Sequence, residues 1–333
     1  MVESFNNYDD PKQVPPKPRR SWWILWLGIA LVLCAGILNG IKSSLESEKR
    51  IREMYAINEK LLKKYPLIQA QEKRTFDPGI VLVKIPEGEV LQGSEEEIEK
   101  GEKVNRVKIK NFWLGETEVT IQQYVIFLNE VKPKKKLRQK WVAINGEKSV
   151  CVKNGEVVER INTDSHIKYK DDHYCVDDDW ENNPVVNVSW YGAEAFCSHY
   201  GLRLPTAEEW IVAAGGPEQT KWSLGNEFVA EDYCFSGNPG PGKPPTMKVK
   251  SFRPDGYGLY NMSGNVGEWC ADRLSYINNL IVKELSKEQK EQLKGSRGGS
   301  WAEIESYLKC NTYGELLPSM KCNFQGFRAA RSY

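Results

Sequence analysis

Histidine is scarce in this chain. Only three occur in 333 residues, His166, His173 and His199, and none is spaced as H-x-x-E-H or H-x-x-x-H. A zinc or non-haem iron centre built on imidazoles therefore has little to draw on. An excess of one charge is also missing. Lys+Arg number 46 against 45 Asp+Glu, a net +1, so the global balance does not favour nucleic acid. The concentrated basic run at residues 132–140 (K-P-K-K-K-L-R-Q-K) reads as a solvated loop. No internal repeat is apparent.

What is present suffices for a sizeable core: 40% hydrophobic residues and 11 tryptophans. The length implies one large domain with appendages, or two modest domains. Residues 1–21 are polar and proline-rich, and K-P-R-R closes their basic end. Such a segment buries too little apolar surface to offset chain entropy and is expected to be a disordered tail. Residues 22–41 (W-W-I-L-W-L-G-I-A-L-V-L-C-A-G-I-L-N-G-I) carry no charge. At 1.5 Å per residue they match the roughly 30 Å hydrocarbon layer as a transmembrane helix. A cleaved signal peptide is the rival reading, but no small-x-small pair and no lipobox cysteine follows the run. Lys12, Lys17, Arg19 and Arg20 precede it, which places the amino terminus in the cytoplasm and the rest outside an inner membrane. Residues 42–78 read as a helical stalk and linker. The helix suits a coiled coil, a partner-binding stalk, or packing on its own domain or on the membrane.

From residue 79 onward the pattern is that of an α+β domain. Residues 80–85 form a buried strand, and residues 107–114 are expected to be its hairpin partner. Thr120 caps a helix through Asn129, Ser189 caps one that turns Ala193, Phe196 and Cys197 inward, and Thr206 with Glu209 forms a capping box. Within residues 132–182, Asn145-Gly146 and Asn154-Gly155 signal two hairpins, so this stretch is expected to be folded. Gly298 to Trp301 and Gly326 to Arg328 are expected to be closing strands.

One stretch organises these parts. Residues 256–272 read G-Y-G-L-Y-N-M-S-G-N-V-G-E-W-C-A-D, too broken by glycine for a long helix or a central strand. Glycine and asparagine admit φ > 0, so the segment can coil tightly and turn carbonyls inward. Asn261, Gly264, Val266 and Glu268 then offer an amide oxygen, two backbone carbonyls and a carboxylate, an oxygen-only set suited to calcium. A buried glycine loop without an ion is the alternative.

The same stretch resembles the signature of the formylglycine-generating enzyme (sulfatase-modifying factor) family. Four further segments agree in order: V-L-V-K-I-P-E-G-E-V-L-Q-G-S at 81–94, F-W-L-G-E-T-E-V-T-I-Q-Q-Y-V-I-F at 112–127, N-P-V-V-N-V-S-W through L-R-L-P-T-A-E-E-W-I-V-A-A-G at 183–215, and R-G-G-S-W at 297–301 with G-F-R-A-A-R at 326–331. The resemblance implies a variant of the C-type lectin fold over residues 79–333, with 132–182 as an insertion. It also implies copper(I) held by two thiolates, three and eight residues after the serine of G-G-S-[YW]. Here those places hold Glu303 and Leu308, and neither is a soft sulfur ligand. Cys310 lies two residues too late, and Gly267 replaces the first tryptophan of the family's N-x-W-E-W. Copper is therefore not expected.

Seven cysteines follow the apolar run, and in an oxidising compartment they should pair with one left over. Spacing and order suggest Cys310 with Cys322, Cys234 with Cys270 and Cys151 with Cys175. The resemblance implies that Cys197 bonds to a cysteine directly after G-F-R; that place is Ala329, leaving Cys197 as the expected free thiol. Two functions remain open. One is a membrane-anchored binding or structural module, with protein partners in a membrane or envelope complex and no nucleic acid. The other is a copper-dependent oxidase acting on protein substrates, or another oxidoreductase of the family.

Overall fold

A computed structural model of the protein describes residues 72–92, 105–133, 141–144, 147–151, 153–154, 165–216, 219–242, 244–273 and 285–333. The chain divides into units of residues 1–52 and 53–333, and the first lies outside the described residues. So do the expected membrane span and nearly all of the stalk. Among the described residues no helix is long and apolar enough to cross a membrane.

The domain is α+β, with a sheet covered on both faces. Its strands are β1 (Lys73–Phe76), β2 (Ile80–Ile85), β5 (Phe112–Gly115) and β15 (Ala330–Ser332), in the order β1-β2-β5-β15 and antiparallel throughout. β2 is IVLVKI, with side chains of alternating direction. Ile80 and Leu82 enter one hydrophobic cluster, and Val83 and Ile85 enter the other. Trp113 on β5 joins the first, and Phe112 and Leu114 join the second. A strand apolar on both sides needs a layer against each. Helices α1 (Ile121–Val131) and α2 (Trp190–His199) cover the first face, with Tyr124, Phe127 and Phe196 stacked or edge-on. Helix α3 (Ala207–Gly215) covers the second with the fully buried Trp210. Each such side chain contributes about 1.5–3 kcal/mol.

All three helices start where capping chemistry places them. Thr120 and Thr206 form complete capping boxes with Gln123 and Glu209, and Ser189 accepts from the Gly192 N–H. Three expectations need correction. The stretch 107–114 is two strands: β4 (Asn105–Ile109) pairs with β3 (Gly88–Gln92), and only β5 pairs with β2. The break falls at Lys110-Asn111, where the chain passes from a two-stranded ribbon into the main sheet. β1 falls in the expected linker because K-R-T-F lacks an apolar run, yet it edges the main sheet, with Lys73, Arg74 and Thr75 exposed and Phe76 partly buried against the first cluster. Of the two Asn-Gly hairpins, β6 (Trp141–Ile144) and β7 (Glu147–Cys151) do pair. In contrast, β8 (Lys153–Asn154) runs parallel to β9 (Ile167–Lys170), which pairs in turn with β10 (His173–Val176).

A second sheet holds the site, in the order β13 (Tyr313–Leu316), β12 (Lys294–Arg297), β11 (Gly267–Trp269), β14 (Gln325–Gly326). β11 is antiparallel to β12 and parallel to β14, so Glu268 lies opposite Arg297 on one side and Gly326 on the other. The closing strand precedes Gly-Gly-Ser-Trp rather than containing it. Gly298 (φ 92) and Gly299 (φ 67) turn the chain away from the sheet.

Candidate functional site: a buried charge knot and the turn beside it

The glycine-asparagine stretch coils as its composition requires. Asn261 (φ 56), Gly264 (φ 87) and Asn265 (φ 66) are all left-handed. A side chain at Gly264 would run into the carbonyl oxygen of Cys234. Asn265 ties three segments together. Its Oδ1 accepts from the Met247 N–H at 2.8 Å, its Nδ2 donates to Glu118 Oε1 at 2.8 Å, and its carbonyl accepts from the Trp301 N–H at 3.0 Å.

At the centre lies a fully buried ion pair. Arg328 donates through Nε to Glu268 Oε2 and through NH2 to Glu268 Oε1, both at 2.6 Å. It also donates to the carbonyls of Gly115 and Tyr260, each at 2.9 Å. Trp210 Nε1 adds a third hydrogen bond to the carboxylate, at 2.7 Å to Oε2. The guanidinium thus joins β5, the knot and β11. Two more carboxyl groups crowd this single cation. Glu118 is completely buried, and desolvation pushes its pKa up to about 7, with the Glu268 charge adding to the rise and Arg328 opposing it. Asp255 is likewise pushed up to about 7 by desolvation, although its Oδ1 accepts from the N–H groups of Tyr257 and Leu259.

The four expected calcium ligands fall in this one turn and strand. Asn261 Oδ1 is buried and has no hydrogen-bond partner, while its Nδ2 donates to Glu118 Oε2 and to the Val249 carbonyl. An orphaned amide oxygen fits a hard cation. Glu268 is different: Arg328 and Trp210 already engage both of its oxygens.

The segment after Gly-Gly-Ser-Trp forms the neighbouring wall. Leu308 has no exposed surface and packs with Trp222 and Tyr233, against which Phe228 and Phe235 also lie. A Cβ built on Gly264 or Gly299 would come within 3.2 or 3.1 Å of its methyl groups. Glu303 is half-buried, its Oε2 has no hydrogen-bond partner, and its carbonyl accepts from the Ser236 N–H at 3.0 Å. Over this wall, Ile304 (59%), Tyr307 (53%) and Val229 (44%) stand exposed.

The model of the sulfatase-modifying factor enzyme 1-like domain matches residues 65–333. The chain belongs to that family. Among its relatives is the serine/threonine-protein kinase pkn1 of Chlamydia caviae, 28% identical over 291 residues that make up 86% of this chain and 43% of the kinase. Another is the formylglycine-generating enzyme of Thermomonospora curvata, 35% identical over 175 residues, 46% of this chain and 55% of the enzyme. The chain thus spans less than two thirds of the length of either relative. Among solved structures, PvdO from Pseudomonas aeruginosa superposes with a TM-score of 0.53 at 19% identity, covering 80% of this chain and 99% of that one. This likeness is one of fold.

The residues at the family's two thiolate places do not fit copper(I). Leu308 supplies no donor and fills its place with hydrocarbon, and Glu303 supplies hard oxygen. Cys310 is only 2% exposed. Burial raises its thiol far above the ordinary value, which disfavours the thiolate that a metal needs. Of the pairings expected from spacing, Cys234 with Cys270 and Cys310 with Cys322 are not made. Cys175, Cys234, Cys270 and Cys310 are free thiols, as is the buried Cys197; the side chain of Cys151 lies outside the described residues. Cys234 lies against the Pro245 carbonyl and Cys270 against that of Glu268. Desolvation pushes Cys234 up to about 12 and raises Cys270 well above the ordinary thiol value. They behave as small apolar core residues. Among the described residues no group of three or more His, Cys, Asp or Glu is placed to hold a metal.

Sequence reasoning missed Glu118, Asp255 and the pairing of Arg328 with Glu268. Two signals were legible. A charged residue set among apolar ones, as Glu268 is in V-G-E-W-C, is buried only when paired. A lone arginine in G-F-R-A-A needs an acid close by.

Proposed function

We propose that this chain is a membrane-anchored, extracytoplasmic binding module on a formylglycine-generating-enzyme scaffold, without oxidase activity. The observation that carries this reading is Leu308, packed into an apolar cluster at the place of a copper thiolate. Exposed Ile304, Tyr307 and Val229 beside it give the module an apolar face suited to a protein partner of a membrane or envelope complex. The test is to reduce the protein, load it with copper(I), and incubate it aerobically with a peptide carrying Cys-x-Pro-x-Arg. Mass spectrometry should find no formylglycine, beside an active family member as control. Turnover that disappears in Cys310→Ser would mean that the thiols have moved, and would end this reading.

The anchor is residues 22–41, uncharged and preceded by basic residues. Protease added to spheroplasts should digest the domain; protection until lysis would reverse the orientation.

Calcium belongs to the same reading. Its support is the orphaned Asn261 Oδ1, with the Gly264 and Val266 carbonyls in the same turn and Glu268 supplying charge that it shares with Arg328. A bound ion would stiffen the turn that holds Asn265 and Glu118. A ligand specific to the folded state adds about 2.7 kcal/mol at a hundredfold excess over its dissociation constant, so EDTA should lower the melting temperature by several degrees. Asn261→Ala should erase that difference. An identical melt with and without EDTA, in protein shown to carry no metal, leaves only the bare loop.

A further inference from the structure

On the other side of Glu118 lies a cavity of about 350 Å³, open to solvent and well away from Leu308 in sequence and in its lining. That is room for roughly a dozen waters at 30 Å³ each, and it falls within the range of small-molecule sites. Ile80, Val81, Val119 and Val249 give it apolar walls, and the exposed Lys248 and Lys250 line it as well.

The charge there does not balance. Glu116, only 5% exposed, accepts from Lys73 at 2.6 Å through Oε1 and from Lys250 through Oε2. Two ammonium groups therefore share one carboxylate, and no carboxylate pairs with Lys248 among the described residues. Glu118 adds little, since both its oxygens are engaged by the side-chain amides of Asn261 and Asn265 and burial favours its neutral form. The start of α1 also borders the cavity, but its N–H groups are spent. Those of Ile121 and Gln122 go to the carbonyls of Asn183 and Glu181, and that of Gln123 goes to Thr120 Oγ1. Surplus positive charge thus comes from the lysines alone, next to branched aliphatic walls.

We infer that this cavity binds a small aliphatic carboxylate, its head on Lys248 and Lys250 and its tail against Val81, Val119 and Val249. The inference does not depend on the absence of oxidase activity, because none of these residues belongs to the turn after Gly-Gly-Ser-Trp. A cation is disfavoured by the same lysines.

Saturation-transfer NMR on the full purified chain tests it, with 4-methylpentanoate as the probe and 4-methylpentanamide as its uncharged counterpart. The acid should bind saturably, and the amide about tenfold more weakly or worse, a difference of about 1.4 kcal/mol. Lys248→Gln/Lys250→Gln should weaken the acid by a similar factor, whereas Lys110→Gln, a lysine outside the cavity lining, should not. Equal binding of acid and amide, acid binding unchanged in the double variant, or no saturable binding would each overturn the proposal. A dipeptide ending in a free leucine carboxylate separates the sources. Binding tighter than the free acid assigns the site to a partner's chain terminus, and weaker binding assigns it to a free metabolite; both require the same lysines.

Discussion

Replacing Arg328 by methionine should destabilise the domain by about 3–5 kcal/mol, the cost of leaving a buried charge without its partner. Both members of the Arg328–Glu268 pair have no exposed surface, so water cannot take over. The loss extends beyond one ion pair, since Arg328 also binds the carbonyls of Gly115 and Tyr260 and opposes the upward shifts of Glu118 and Asp255. Without it, Glu118 and Asp255 lose the charge that opposes their upward shifts, and both hold their protons to still higher pH in the folded state. The folded state then binds more protons than the unfolded one from the ordinary carboxylate range up past pH 7, so stability falls as pH rises. The deficit of Arg328→Met should therefore be smaller at pH 5 than at pH 8. Glu268→Met/Arg328→Met, which removes both charges, should cost less than the single change. Urea melts at the two pH values check this; a single variant within 1 kcal/mol of the wild type at both would mean that the pair is not what holds β5, the knot and β11 together.

Leu308→Ala should cost about 2–5 kcal/mol, through lost burial and the cavity left behind. Collapse is hindered because Gly264 and Gly299 approach the leucine methyls with backbone alone, and backbone in left-handed turns cannot follow a shrinking side chain. By contrast Glu303→Gln, a near-isosteric change of a half-buried residue, should stay within about 0.5 kcal/mol. Denaturant melts separate the two. A loss below 1 kcal/mol for Leu308→Ala would show a loosely filled position with room for a ligand, against the binding-module reading.

Elements that sequence disclosed were those set by local chemistry. Thr120, Ser189 and Thr206 cap helices because a side-chain oxygen meets a free N–H two or three residues on, and the heptad-free strand 80–85 declares itself by its apolar run. The left-handed coil of Asn261, Gly264 and Asn265 was legible for the same reason. Pairing between distant segments was not. K-R-T-F at β1 joins the main sheet only because β2 offers an edge, and the split of residues 105–115 between two sheets depends on where β3 and β2 lie. Glu268 reads as a metal ligand because its cation partner, Arg328, stands 60 residues away. Order along the chain likewise says nothing about whether two cysteine side chains meet, and Cys234 and Cys270 remain separate thiols.

The central claim is that the family's copper place is closed by hydrocarbon, and a copper(I) titration against a chromophoric chelator tests it most directly. The wild-type chain should leave the metal with the chelator and develop no thiolate-to-copper absorption, while Glu303→Cys/Leu308→Cys should withdraw one equivalent. A wild-type chain that takes up one equivalent with that absorption, and loses it in Cys310→Ser, would contradict the account.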